Sequence, residues 1–240
     1  MYEKGRASSP KALLTPLKRR ESACVYFLRL AAWSQAVEDT VWQCHEAARA
    51  NGVVLDRGIP NPENAHLTYY REILGDAYAE DAPGISAHLA RWMPALNPAQ
   101  REELATGLSG LLREQKGQGK TQGALKNLYI KILCWLYYRF RALAASLGVD
   151  PLPLIFCVAE EGLSAHALLL LRLLSGVGAD VLLLEPRGDG AYLSLDPESR
   201  WSDLCEIPGA APFAGDFSLK TFRRRHAPAQ TAQPRAAATQ

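Results

Sequence analysis

Two loops carry the residue types best suited to chemistry. The first, Ala159-Glu-Glu-Gly-Leu-Ser-Ala-His166, joins a short apolar run to a leucine-rich segment. If that segment is a helix, its first backbone N–H groups and its dipole favour an anion. Ser164 could then cap the helix or touch a phosphate oxygen, and His166 would sit in the first turn beside it. Glu160 and Glu161 would repel a phosphate unless a metal intervened. The second loop, Glu185-Pro-Arg-Gly-Asp-Gly190, follows another apolar run. An acid after the second strand of a nucleotide-binding unit often holds a ribose hydroxyl, and Glu185 stands there. Asp189 is an alternative for that role, Arg187 could neutralise charge, and Asp196 comes soon after in an Asp-Pro turn signal. The candidate ligand-binding set is therefore Ser164, His166, Glu185, Arg187, Asp189 and Asp196, with a phosphorylated small molecule as the expected ligand. Each residue also has a plainer reading as a helix cap, a surface histidine or turn chemistry. No catalytic residue or cofactor is specified by these patterns.

Other chemistries find little support. The five histidines lie far apart and none has a ligand partner at metal-binding spacing, so no metal site is expected. The first loop has only Gly162 where a dinucleotide fingerprint needs several glycines. Gly117-Gln-Gly-Lys-Thr121 echoes the end of a phosphate-binding loop, but position 114 is Glu114 and no apolar strand precedes it. No nucleophile elbow is present. The five cysteines include no close pair, which argues against a disulfide framework and for a reducing compartment.

The elements that must position these loops lie in the last third of the chain. Leu154-Ile-Phe-Cys-Val158 and Asp180-Val-Leu-Leu-Leu-Glu185 are short continuous apolar runs, as buried parallel strands are. Leu163 to Leu174 is long enough for a helix and is closed by Gly176 and Gly178. Strand, helix and strand make a parallel, right-handed crossover, a Rossmann-like unit. Two strands are too few to stand alone. Val53-Val-Leu55 and Ala191 to Leu195 are the segments where further strands would hide.

The preceding region reads as helical. Val25, Leu28, Ala32, Val37, Val41 and Cys44 recur at roughly helical spacing, predicting one helix from Ser22 to Asn51. Helices are expected over Leu67–Ala79 and Ile85–Met93, and another from Asn97-Pro98, where Asn97 can cap and Pro98 suits the first turn. Ala124 to Leu147 has the clearest stripe, with Leu125, Leu128, Ile132, Leu136, Phe140 and Leu143 on one side. The fold class is thus α/β, a helical N-terminal half packed on a small Rossmann-like β-α-β unit. The boundaries read as 1–20 flexible lead-in, 21–150 mainly helical, 151–222 α/β, and 223–240 disordered tail.

Composition fits this picture. In 240 residues, 48% are hydrophobic and 22% charged, enough for a real core. The net charge is only +2, so no global field points to nucleic acid. The basic runs Lys18-Arg19-Arg20 and Arg223-Arg224-Arg225 read as solvated flanks. The N-terminus has no secretory signal, and the longest apolar stretch, Ala167 to Leu174, falls far short of the ~20 residues a membrane helix needs. A soluble cytoplasmic protein without membrane contact is expected.

One stretch resembles a known family. Asn127-Leu-Tyr-Ile-Lys-Ile-Leu-Cys-Trp-Leu136, the strand and helix through His166, and Gly178-Ala-Asp-Val-Leu-Leu-Leu-Glu-Pro186 are similar to the YceG-like proteins. The likeness continues through Gly190 and Asp196 to Pro212-Phe213. Those proteins are described as components of a "biosynthetic module" encoded beside TerD-type tellurite-resistance and stress genes. They are typically longer, so the chain reads as a short or half-length version. The resemblance implies a bacterial stress-associated role with a nucleotide-like or other small metabolite, and it carries no catalytic assignment. Two functions compete. One is a domain that binds a phosphorylated metabolite at the two loops. The other is a non-catalytic assembly subunit that docks a protein partner from the same operon through its helical half, with its aromatic-rich Leu125–Leu143 stripe.

Overall fold

The computed structural model describes residues 2–20 and 22–226. In chain order the elements are β1 (Glu3–Lys4), β2 (Cys24–Val25), β3 (Phe27–Leu30), α1 (Gln35–Ala50), β4 (Gly52–Leu55), α2 (Asn64–Leu74), α3 (Ala82–Trp92), α4 (Pro98–Gly117), α5 (Gln122–Tyr138), α6 (Arg141–Ala144), β5 (Leu154–Val158), α7 (Ala165–Gly176), β6 (Asp180–Leu184), α8 (Gly190–Leu193), β7 (Asp203–Leu204) and α9 (Leu219–His226). The fold is α/β. Five strands form one parallel sheet in the order β4-β5-β6-β3-β7, and β1 and β2 form a separate parallel pair.

The expected β5–α7–β6 crossover is present, and it sits inside a larger sheet. Val53–Leu55 does supply a strand. Ala191–Leu195 does not, because Gly190–Leu193 closes into a single helical turn. The largest difference lies in the segment read as one helix from Ser22. Its first part is β2 and β3, and the helix starts only at Gln35. Strand β3 lies between β6 and β7 and is buried along its whole length. An apolar run buried on both faces has no period of its own, so helix and strand look alike in it.

Side chains alternate across the sheet with the two-residue period of strands. Phe27, Ile155, Cys157, Val181 and Leu183 face a core built with α7 and the helices of the N-terminal half. Leu28, Leu30, Phe156, Val158, Leu182 and Leu184 face a second core with α1 and α9. The helical layer, α2 to α6, is threaded between β4 and β5, which are neighbours in the sheet. Its α5 stripe is consumed inside the fold: Leu125, Leu128, Ile132, Leu136, Phe140 and Leu143 are all buried. The long helix expected from Ala124 to Leu147 is interrupted after Tyr138 and resumes as α6. The Asn97 cap forms as expected. Its Oδ1 accepts from the Gln100 N–H at 2.9 Å, and Gln100 Oε1 accepts from the Asn97 N–H at 3.1 Å.

The segment expected as a flexible lead-in packs on this body. It carries β1 and a 3-10 turn at Pro10–Leu14 that buries Leu13. Arg20, read as part of a solvated run, is buried: its guanidinium donates to both oxygens of Asp180 at the start of β6. Arg223 to Arg225, read as the start of a disordered tail, belong to α9, and the rest of that tail, 227–240, lies outside the described residues. The five cysteines are free and buried. Among the described residues no helix is long and apolar enough to cross a membrane.

Candidate functional site

The carboxyl ends of β5 and β6 present the two loops singled out from sequence, and the structure treats them differently. The first loop turns at Gly162, whose φ of 88° is a left-handed conformation that side chains disfavour. Ser164 then caps α7, its Oγ accepting from the Ala167 N–H at 3.2 Å. The hydroxyl remains exposed on the wall of a cleft of about 630 Å³, shared with Arg57, Asn61 and Glu161. The opposite wall is the turn after β4. It is anchored by Gly58 N–H donating to the Val158 carbonyl at 2.8 Å and by Trp135 Nε1 donating to the Pro60 carbonyl at 2.7 Å. Two rigid elements therefore hold Arg57 and Asn61 in place, although sequence alone marks neither.

His166, in the first turn of α7, is half-buried with its Nδ1 3.4 Å from Lys131 Nζ on α5. Lys131 Nζ also donates to Asn61 Oδ1 at 3.0 Å. Burial lowers the His166 pKa, and the positive charges of Lys131 and Lys120 lower it further. Among the described residues no carboxylate pairs with Lys131. The mouth of α7 thus gathers an ammonium, an imidazole, an amide and a hydroxyl beside the positive end of a helix dipole, with the exposed Glu161 carboxylate and the Arg57 guanidinium on the same cleft. Lys131 was not marked in sequence because on α5 it reads as the polar face of an amphipathic helix.

The second loop folds inward. Strands β3 and β6 are neighbours, yet β3 continues to α1 on one face and β6 to Tyr192 on the other, which makes the crevice between them a topological switch point. That crevice is filled by the chain itself. Arg29 on β3 is buried, and its guanidinium donates to Asp189 Oδ1 at 2.6 Å and Oδ2 at 3.0 Å, to Ser202 Oγ at 2.7 Å and to Ser199 Oγ at 3.0 Å. It also lies 4.0 Å over the Tyr192 ring. Asp196 is buried and accepts from the Tyr192 hydroxyl and from the Arg200 and Trp201 N–H groups, each at 3.0 Å. Asp189 and Asp196, both expected to face a ligand, are thus hydrogen-bonded within their own chain. Arg187 is exposed on the turn that Gly188 N–H closes onto the Glu185 carbonyl.

Glu185 has a different fate. It is 1% exposed, and its Oε1 has no hydrogen-bond partner. Burial, with the nearby Asp189 carboxylate, pushes its pKa up to about 7 against the pull of Arg29. Beside it Cys157 is pushed up to about 12, chiefly by burial, and is an inert thiol. The six candidate residues thus separate into an open pair at α7, one exposed arginine, two buried acids, Glu185 and Asp196, and a half-buried one, Asp189. Arg29 was missed because the segment holding it reads as helix. Among the described residues no group of three His, Cys, Asp or Glu side chains could hold a metal ion.

A sequence model of the YceG domain matches residues 41–235, most of the chain. The chain belongs to the YceG family. The match extends well beyond the 125–215 stretch that carried the resemblance and takes in α2 to α6, so the helical layer is part of this YceG domain rather than an addition to it. No curated protein and no solved structure matches this YceG domain.

Proposed function

We propose that this YceG domain binds a phosphorylated small molecule at the mouth of α7, between the turn after β4 and the Gly162–Ser164 loop. One observation carries the proposal: Lys131 and His166 face each other at 3.4 Å with no acid to balance them. The lowered pKa of His166 lets its Nδ1 accept from the Lys131 ammonium, which is left without a carboxylate to neutralise it, a charge that an anion would balance. Ser164 and the first N–H groups of α7 would receive phosphate oxygens, Lys131 and Arg57 would neutralise charge, and His166 would hold or release a proton beside them. The wider setting proposed for this site is the one the resemblance implies, a cytoplasmic biosynthetic module of bacterial tellurite resistance and stress response. In the alternative, an assembly subunit docking a partner through its helical half, the Leu125–Leu143 stripe is buried within the chain and the docking surface would be the outer faces of those helices.

The test is a thermal-shift and calorimetry series with inorganic pyrophosphate and sulfate on the wild type and on Lys131→Ala. A ligand at a hundred times its dissociation constant adds about 2.7 kcal/mol of stability. Pyrophosphate should raise the melting temperature of the wild type. Lys131→Ala should weaken binding about tenfold or more, about 1.4 kcal/mol, while leaving the unliganded protein within about 0.5 kcal/mol of the wild type. No pyrophosphate response, or an undiminished one in the variant, overturns the proposal.

A further inference from the structure

Residues 186–202 leave the sheet and return to it at almost the same place. The Glu185 N–H donates to the Leu30 carbonyl at 2.8 Å and the Cys205 N–H to the Arg29 carbonyl at 2.9 Å, so both ends are fixed on consecutive residues of β3. Between them only Tyr192, Asp196 and Ser202 are buried. Little apolar surface holds the segment down, and few buried contacts make local opening easy. One side chain ties it to the sheet. Four N–H groups of Arg29 donate, and all four acceptors, Asp189 Oδ1 and Oδ2, Ser199 Oγ and Ser202 Oγ, belong to this segment. Gly188, at φ 87°, precedes Asp189, and Ser199 is held at φ 49°, a left-handed conformation that strains a residue with a side chain.

Glu185 lies at the root of the segment, 1% exposed, with Oε1 lacking a partner. Its charged neighbours are the Asp189 carboxylate and the Arg29 guanidinium. Cys157 from β5 stands beside it as a neutral thiol. Tyr192 lies over Arg29, and its hydroxyl donates to Asp196. On the same face of the sheet α7 contributes Ala167, Leu170, Leu171 and Leu174, none of which carries charge. Two carboxyl groups therefore stand beside one guanidinium, and that guanidinium is bonded to Asp189 alone of the two. A neutral Glu185 is tolerated there. An ionised one is a second buried charge without a hydrogen bond, which costs far more.

We infer that residues 186–202 are a proton-controlled latch over the crevice between β3 and β6. Ionisation of Glu185 opens it, because the new carboxylate draws the Arg29 guanidinium away from Asp189 and the segment loses the donor that holds it. The direction follows from linkage. Burial and the Asp189 carboxylate raise the Glu185 pKa to about 7, against the pull of Arg29. The closed state keeps a proton that the open, solvated state releases. The opening equilibrium therefore rises about tenfold per pH unit from the ordinary carboxylate value up to about 7, and then levels.

Hydrogen exchange by NMR on the full chain tests the latch. The amides of Leu193, Ser194, Arg200 and Trp201 donate within the segment and report on it, while those of β6 report on the sheet. After division by the intrinsic exchange rate at each pH, segment protection should fall about tenfold per unit between pH 5 and pH 7. The strand amides should stay more protected throughout. Glu185→Gln should hold the segment at its pH 5 protection across the range. Asp189→Asn removes the rival carboxylate on Arg29, so it should lower segment protection already at pH 5 and leave the strands protected. That variant serves if Glu185→Gln does not fold. Segment protection that ignores pH, an unchanged pH profile in Glu185→Gln, full segment protection in Asp189→Asn at pH 5, or segment amides that exchange no faster than the strand amides overturns the inference.

Discussion

The loop after β5 and the loop after β6 look alike as sequences. Both follow a buried strand, both turn on glycine, and both carry acids beside a residue that could meet an anion. In the structure they are opposites. The loop after β5 leaves Ser164 exposed and sets His166 against Lys131 with no acid between them. The loop after β6 turns Asp189 onto Arg29 and leads to Asp196, which accepts from backbone N–H groups, and the crevice where a sheet of this kind usually takes a ligand is filled by the protein's own ion pair. Polar loop composition therefore does not mark a site. What matters is whether the chain already supplies the partner.

That contrast can be broken most strongly at Arg29. Arg29→Met removes the guanidinium and leaves Asp189, Ser199 and Ser202 without their donor. Loss of one member of a buried pair costs about 3–5 kcal/mol, so urea denaturation should show a loss of that order. Pyrophosphate affinity of the folded fraction should be unchanged. Coupled loss of binding would mean that the two loops form one site.

Glu185 gives the next largest effect, read through pH. Its folded pKa of about 7 lies above the usual carboxylate value, so the folded state holds the proton more tightly than the unfolded chain does. Stability from this group is fully present below the unfolded pKa, declines as pH rises through the interval between the two values, and is gone above the folded one. The span amounts to about 3 kcal/mol at 1.36 kcal/mol per pKa unit. Glu185→Gln should remove this slope, with the variant gaining on the wild type from pH 5 to pH 8. A parallel pH profile for the two proteins would show that Glu185 is charged and satisfied in the fold.

His166 sharpens the other side of the comparison. Its folded pKa lies below the ordinary value, so its contribution to stability is present above the unfolded pKa and is lost as pH falls through the folded one. In an NMR titration, saturating pyrophosphate should move the His166 pKa upward, and an unchanged value would place the anion elsewhere. The smallest effect belongs to Ser164. Ser164→Ala removes a cap worth about 1 kcal/mol and should weaken pyrophosphate binding as well, whereas a cap alone would alter stability and leave binding intact.

Much of the framework was legible in the chain. The runs Leu154–Val158 and Asp180–Leu184 are strands because a buried parallel strand is uniformly apolar, and α5 is a helix because its leucines return every three or four residues. The Asn97 cap was legible because capping is a contact between residues three apart. Local chemistry of this kind is contained in a short window. Strand β3 was not, since its identity comes from hydrogen bonding to β6 and β7, elements more than a hundred positions later.

The same division runs through the candidate site. Ser164 and His166 could be placed at a helix start because their relation to α7 is sequential. The pairing of His166 with Lys131, of Lys131 with Asn61, and of Arg29 with Asp189 joins residues from different elements, and no spacing announces it. By itself the sequence determined where strands, helices and caps would form, because those depend on neighbours along the chain. Only the tertiary structure decided which polar groups meet their own counter-charge and which are left facing a cleft, because that balance is set by residues brought together from far apart.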